Sequence, residues 1–325
     1  MATSRAWRPA SISGPFRPRF DEIPELNQVF SDSFTERYRR DGMVGVRVPF
    51  LNPTIWRYAI EDADSGAMLW RDERGLLVAF NMVHRSGREG WMGPLAVRTE
   101  YQGSGTGKEI VMRGIEWLKS QGGGASVIGL ETMPRTMDNI GFYSRLGFVP
   151  GRLTLTSTLE ANYADAPALV LGRLSPRDRD DAVRQCRMLV QSLLPGYDYT
   201  REITLTAELA LGDTVLLYEG DRLIGFALAH SAPLVEGRAR EELRVLKLAI
   251  ADESRFDDMV AAIADFARRC GTRRIALRLQ SEFVAAYQRV ITLGGHVRWT
   301  DLRMSLAGYE EKPPARGLVL SNWEI

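Results

Sequence analysis

Six consecutive residues, Gln102-Gly103-Ser104-Gly105-Thr106-Gly107, set three glycines at alternate positions beside two hydroxyls. Lys108–Lys119 follows, with Ile110, Val111, Gly114, Ile115 and Leu118 recurring on one helical face. Before them, Met92-Gly93-Pro94-Leu95-Ala96-Val97 reads as a strand. Glycines free the backbone to take left-handed torsions and leave no side chains over the loop. Its N–H groups can then converge on an anion at the positive end of the following helix. The ligand such a loop suits is a phosphate group.

Three nucleotide-loop patterns compete for it. A P-loop requires G-x-x-x-x-G-K-[ST]. Gly107-Lys108 supplies the GK pair, but Gln102 replaces the first glycine and Glu109 the metal-binding hydroxyl. The dinucleotide pattern G-x-G-x-x-G fails as well, because Lys108 stands where its third glycine belongs, and no early strand–turn–helix opens the chain. The pattern [QR]-x-x-G-x-[GA] fits, with Gln102, Gly105 and Gly107 in register. At this loop the chain resembles the GNAT superfamily of acyl-CoA N-acyltransferases. A second stretch, Asn139-Ile140-Gly141-Phe142-Tyr143-Ser144-Arg145-Leu146-Gly147-Phe148, resembles that family's closing motif. Its spacing departs from the commonest form, with Tyr143 four residues after Asn139 and Gly147-Phe148 close behind. The resemblance covers roughly residues 14 to 160.

The resemblance implies acetyl-CoA as cosubstrate. In the family the loop binds the pyrophosphate and the preceding strand pairs its backbone with the pantetheine arm. That assigns Leu95, Ala96 and Val97, the loop residues Gln102, Gly103, Ser104, Gly105, Thr106, Gly107 and Lys108, and Asn139 and Phe142 to cofactor binding. Amine acylation from a thioester also needs the carbonyl polarised, a proton taken from the attacking ammonium and one returned to the thiolate. Strand N–H groups near Val97 are placed for the first task. Tyr143, at the position of the family's tyrosine, is the expected general acid. Glu131, ending a strand over Ser126 to Glu131, is the expected base, directly or through water. Glu89 and His84 are alternatives that read equally as structural residues, and in many relatives water alone carries the proton.

The chain is also internally duplicated. Val78-Ala79-Phe80-Asn81-Met82-Val83-His84 aligns without gaps with Ile224-Gly225-Phe226-Ala227-Leu228-Ala229-His230, and Leu95-Ala96-Val97 with Leu248-Ala249-Ile250. Tyr143-Ser144-Arg145 has a counterpart in Tyr287-Gln288-Arg289. Two tandem GNAT-like domains are therefore expected, residues 1–160 and 166–325, joined around Ala161 to Pro167. Each is expected to be α/β (α+β), a mixed, mostly antiparallel sheet flanked by helices. Extending the alignment lays Arg255-Phe256-Asp257-Asp258-Met259-Val260 over the glycine loop. With no glycine and two carboxylates, the second copy is expected not to bind coenzyme A. The apolar tail within 308–325 is expected to pair with a sheet, that of the first copy being the one considered.

Helices are expected at Glu22 to Arg39, Pro53 to Asp62, Arg177 to Leu194 and Arg255 to Cys270, and a hairpin joining Met68-Leu69-Trp70 to Gly75–His84. Hydrophobic residues make up 45% and charged ones 26%, with a net charge of +1, so no general attraction to nucleic acid is expected. Arg5, Arg8, Arg17 and Arg19 read as a lead-in rather than a binding arm. No apolar run approaches a membrane span and no signal-peptide pattern opens the chain, so a cytoplasmic protein is expected. Cys186 and Cys270 are unpaired by spacing, and the scattered histidines predict no metal. The expected activity is N-acetyl transfer to a small-molecule amine by a monomer or homodimer. A non-catalytic acyl-CoA-binding module and a protein or peptide amine acceptor are the alternatives.

Overall fold

The structure, a computed structural model, describes residues 11–120, 122–162 and 167–325. Arg5 and Arg8, and most of the expected domain junction, lie outside the described residues. The first half runs β1 (Ile12–Phe16), α1 (Ile23–Arg40), α2 (Pro53–Ala63), β2 (Ala67–Asp72), β3 (Leu77–Ser86), β4 (Glu89–Val97), α3 (Thr106–Ser120), β5 (Val127–Thr132), α4 (Met137–Arg145) and β6 (Phe148–Glu160). The second half repeats it: β7 (Leu169–Val170), α5 (Pro176–Leu193), α6 (Thr200–Glu208), β8 (Gly212–Glu219), β9 (Arg222–His230), β10 (Glu242–Ile250), α7 (Phe256–Arg269), β11 (Arg274–Gln280), α8 (Val284–Thr292) and β12 (His296–Leu306). A last strand, β13, spans Leu318–Ser321.

Local chemistry explains where these elements begin. Asn52 and Ser175 each accept a backbone N–H with their side chains, and a proline follows each at the first helical position. Apolar stripes then seat the helices: α7 buries Phe256, Met259, Val260, Ile263 and Ala267 against the sheet. Of the helices, the sequence reading does not place α4, α6 or α8. The duplication is visible in the order of elements and in matching irregularities, since β3 with β4 and β9 with β10 each carry a register shift at equivalent points.

All thirteen described strands join one sheet, in the order β1-β2-β3-β4-β5-β12-β6-β11-β10-β9-β8-β7, with β13 added to β10. The two halves exchange their closing strands. β12 pairs antiparallel with β5, from Leu302↔Thr132 to Ser305↔Gly129, and β6 pairs with β11 along Glu160↔Arg274 to Thr154↔Gln280. The division at 160/166 is thus no division of the sheet. The tail pairs with the second half, not the first: Leu318 to Ser321 lie against Ile250 to Lys247. Beyond β13 it crosses into the first half, where Trp323 is 2% exposed and its indole N–H donates to Glu89 at 2.7 Å.

A buried polar cluster ties the halves together. Lys247 donates to the Ser321 hydroxyl (2.8 Å) and the Asn322 carbonyl (3.2 Å), and lies 3.9 Å from both Glu89 and Glu202. Burial and the nearby Asp62 carboxylate raise Glu202 from its usual 4.5 to about 8, against Lys247 and the Ser86 hydroxyl bond. The folded state therefore binds this proton more tightly than the unfolded chain. Its contribution to stability is full below pH about 4.5, declines as pH rises to about 8, and levels off above. Glu202→Gln is expected to remove that decline, so its melting temperature should gain on the parent's between pH 5 and 8.5. Parallel curves for the two proteins would contradict it.

Candidate active site

β4 and β5 run parallel and paired only from Glu89↔Val127 to Met92↔Leu130. Past Met92 the register shift against β3 re-aims β4, while β5 continues alongside β12. The strands part and a cleft opens between them. The Arg98 N–H bonds the Val78 carbonyl at 2.9 Å, so the two-residue alternation of an antiparallel ladder turns the Leu95 and Val97 backbone away from β3 and toward that cleft. Consistently, the Val97 carbonyl is held from that side by the Gln102 amide (2.9 Å) and the Ser33 hydroxyl (3.3 Å).

The glycine loop closes one end. Gly103 and Gly105 take φ of +79° and +94°, conformations that side chains disfavour, and an added Cβ at either would project into open space. Gly107 is different: it lies inside α3, and its Cβ would sit 3.4 Å from the Phe142 ring. Two of the three glycines are thus needed for torsion, while a Cβ at the third would meet the Phe142 ring at van der Waals distance. The Ser104 hydroxyl bonds the Tyr101 carbonyl at 2.7 Å and is 2.8 Å from that of Thr106, which fixes the loop and aims the first N–H groups of α3 outward. Arg40 reaches across from α1 to the Gln102 side chain at 3.0 Å and adds positive charge at the mouth.

The resulting cleft, about 570 Å³, is bordered by Leu95 to Val97, by Gln102, Gly103, Gly105, Gly107 and Lys108, and by Asn139, Phe142 and Tyr143. The structure brings this predicted set together, with Ser104 and Thr106 inside the loop as its internal brace. A second cavity of about 360 Å³ adjoins the cleft and shares Phe34, Arg37, Leu95, Asn139 and Tyr143 with it. Tyr143 stands at the junction, its ring 5.1 Å from Phe142 and 6.0 Å from Phe148. Burial pushes its phenol up to about 12, so it holds a proton at neutral pH.

Glu131 does not fit the role of base. It is buried, and its carboxylate takes Arg278 at 2.6 Å, Thr154 at 2.5 Å and Arg303 at 3.7 Å. Burial pulls the group upward, yet the two guanidiniums and the hydroxyl hold it below the usual carboxylate range, which weakens it as a proton acceptor. His84 is enclosed by Asp62 at 2.5 Å, the Gly93 carbonyl at 3.1 Å and a stacked Trp91 at 4.0 Å. Glu89 is fully buried under Ser321 and Trp323. These last two are structural residues.

In the second half the same architecture is closed. Eight residues (98–105) separate β4 from α3, but only five (251–255) separate β10 from α7. The helix begins sooner, with Phe256, Met259 and Val260 buried where the loop would be open. Asp257 is paired with Arg289 at 2.7 Å and Asp258 with Arg255 at 2.5 Å. The strands still part, since β10 and β11 pair only from Glu242 to Arg244, but β13 fills the gap along Lys247 to Ile250. By the repeat, Leu248-Ala249-Ile250 matches Leu95-Ala96-Val97, so the tail occupies the slot that the first half leaves free.

Sequence reasoning missed one wall of the second cavity. Trp299 and Asp301 come from β12, and Trp323 and Glu324 from the tail. None lies near a recognisable motif: Trp299 and Asp301 arrive through the strand exchange, and Trp323 and Glu324 with the tail beyond β13.

Residues 24–148 match the family model described as acetyltransferase (GNAT) family. No curated protein matches the chain. Among solved structures, a candidate acetyltransferase from Pyrococcus horikoshii is 15% identical, with TM-score 0.66 over 99% of this chain and 98% of that one. A tandem GNAT protein from the clavulanic acid biosynthesis pathway is 9% identical, with TM-score 0.58 over 91% and 98%. Saccharomyces cerevisiae N-myristoyltransferase, with bound myristoyl-CoA, is 10% identical, with TM-score 0.60 over 93% and 83%.

Proposed function

Residues 24–148 belong to the acetyltransferase (GNAT) family, in a chain that carries the tandem form of its fold throughout, and from that premise we propose an acetyl-CoA-dependent N-acetyltransferase acting on a small-molecule amine. The observation that carries the reading is Tyr143 at the junction of an anion-suited cleft and a separate cavity. A module that only bound the cofactor would need the cleft and not the second cavity.

Acetyl-CoA supplies the activated acyl group. The N-terminus of α3 and the loop residues Gln102 to Gly107 hold its phosphates, and the cleft-facing Leu95 backbone pairs with the pantetheine amides. Fixing the donor beside the acceptor converts a bimolecular encounter into a reaction within one complex. The Val97 N–H polarises the thioester carbonyl, and the Tyr143 phenol donates to the departing thiolate. The second half binds no cofactor and contributes part of the acceptor cavity. Among the described residues, no helix is long and apolar enough to cross a membrane.

Titration calorimetry with acetyl-CoA is expected to give one site per chain. Gly105→Trp should abolish it, because a bulky residue at φ +94° both strains the loop and fills the cleft. Two sites would contradict the silence of the second half, and no heat with acetyl-, octanoyl- or myristoyl-CoA would overturn the function.

A further inference from the structure

The cavity beyond Tyr143 has a chemistry of its own. Tyr38 and Trp299 line it as a tilted pair with ring centroids 6.1 Å apart and planes at 45°, and Phe34 and Trp323 extend the apolar lining. Set into that lining are two carboxylates from the second half. Asp301 accepts from Arg278 at 3.1 Å and from the Trp299 indole at 3.2 Å, and Glu324 lies 3.0 Å from the same guanidinium. Glu131 is the third carboxylate on Arg278, at 2.6 Å. The next guanidinium, Arg303, is divided between Glu131 at 3.7 Å and Glu311 at 3.2 Å. Two further guanidiniums lie nearby: Arg37 is paired with Asp41 and Asp138, and Arg244 bonds the Ile325 carbonyl at 3.0 Å, which leaves Arg278 and Arg303 to face Asp301, Glu324, Glu131 and Glu311.

Two titratable groups register that shortage. Burial, with Glu324 and Glu131 adding to it and Arg278 opposing, raises Asp301 to about 7. Burial, then Glu324 and Asp301, likewise raises Tyr38, which faces them from α1. A buried carboxylate with incomplete compensation takes up either a proton or a cation.

Building on the acetyltransferase reading, we propose that this cavity receives a primary ammonium carried on a flat apolar body, that Asp301 and Glu324 hold the ammonium, and that Asp301 accepts its proton. The rings fit an aromatic or extended apolar group, and the carboxylates disfavour an acceptor bearing an anion beside its amine. The proton count closes as follows. Asp301 takes one proton from the ammonium and later releases it to solvent. The neutral nitrogen forms the C–N bond to the thioester carbon. The adduct sheds a second N–H proton as the C–S bond breaks, and that proton replaces the one Tyr143 gives to the sulfur. The products are an amide, free thiol and one proton.

The test compares phenethylamine with phenylalanine, which differ only by a carboxylate, by thiol release from acetyl-CoA. Phenethylamine is expected to have the higher kcat/KM by about ten-fold or more. Its kcat should rise with pH through about 7 as Asp301 loses its proton. Asp301→Asn should lower kcat by about 10²-fold or more and erase that rise, with acetyl-CoA affinity by calorimetry unchanged, and Asp301→Glu should recover part of both. Glu324→Gln, at a half-exposed position, should raise the KM for phenethylamine and move the rise in kcat to lower pH, because the Glu324 carboxylate helps raise Asp301. Equal use of phenylalanine, or an Asp301→Asn variant that keeps the rise near pH 7, overturns this proposal while Tyr143-dependent transfer leaves the acetyltransferase reading standing. Absence of acetyl-CoA binding, or of transfer to any amine, overturns both.

Discussion

Tyr143→Phe is expected to lower turnover by about 10²–10⁴-fold while acetyl-CoA binds with unchanged affinity. The substitution removes one oxygen and keeps the ring, so the contacts with Phe142 and Phe148 persist. Among the described residues the Tyr143 hydroxyl has no hydrogen-bond partner, so the fold loses nothing with it. What disappears is a proton held at the junction of the two cavities. With its phenol raised to about 12, Tyr143 stays protonated across the working range, and the loss in rate should be uniform between pH 6 and 9. Steady-state kcat measured beside the calorimetric affinity separates this from a binding defect. A variant with full turnover would remove Tyr143 from the chemistry, whatever its position.

Trp323→Ala is expected to cost about 3–5 kcal/mol of stability, the range for deleting a large buried aromatic. The ring lies so close to Gly129 that a Cβ there would come within 2.2 Å of it. Arg303 sits over its face at 3.6 Å, and its N–H satisfies Glu89. Alanine would leave a cavity, expose Arg303 to the void and remove the donor from one oxygen of the buried Glu89, whose other oxygen keeps Ser321. The same ring walls the acceptor cavity, so the KM for amines should rise while the acetyl-CoA site on the far side of Tyr143 is unaffected. Urea unfolding at constant m-value reads the first effect and steady-state kinetics the second. An unchanged midpoint would show that the tail is not integral to the sheet. Gly129→Ala offers an independent check, because it pushes on the same ring from the other side.

The cleft proposed for the cofactor was legible because its parts are local. A glycine loop ahead of a helix, and a tyrosine a few residues into the next motif, keep their geometry from neighbours in the chain, and the structure assembles Leu95 to Val97, Gln102 to Lys108, Asn139, Phe142 and Tyr143 around one cleft. Glu131 was misread for the opposite reason. Its strand was placed correctly, but the residue that neutralises it, Arg278, is 147 positions away and arrives only when β6 and β12 exchange halves. A carboxylate's basicity depends on charges within a few ångströms, and those were not written beside it.

The amino-acid sequence by itself determined the duplicated α/β elements, the glycine loop of the first half and the loss of that loop in the second. Periodicity, glycine spacing and the absence of glycine act through backbone torsion and side-chain size at the positions concerned. Only the tertiary structure decided that the closing strands trade places, that β13 fills the second half's parted strands, and that Asp301, Glu324 and Trp323 line the cavity beyond Tyr143. Those outcomes rest on backbone hydrogen bonds, which any residue but proline can make, and on apolar contacts that many partners would satisfy.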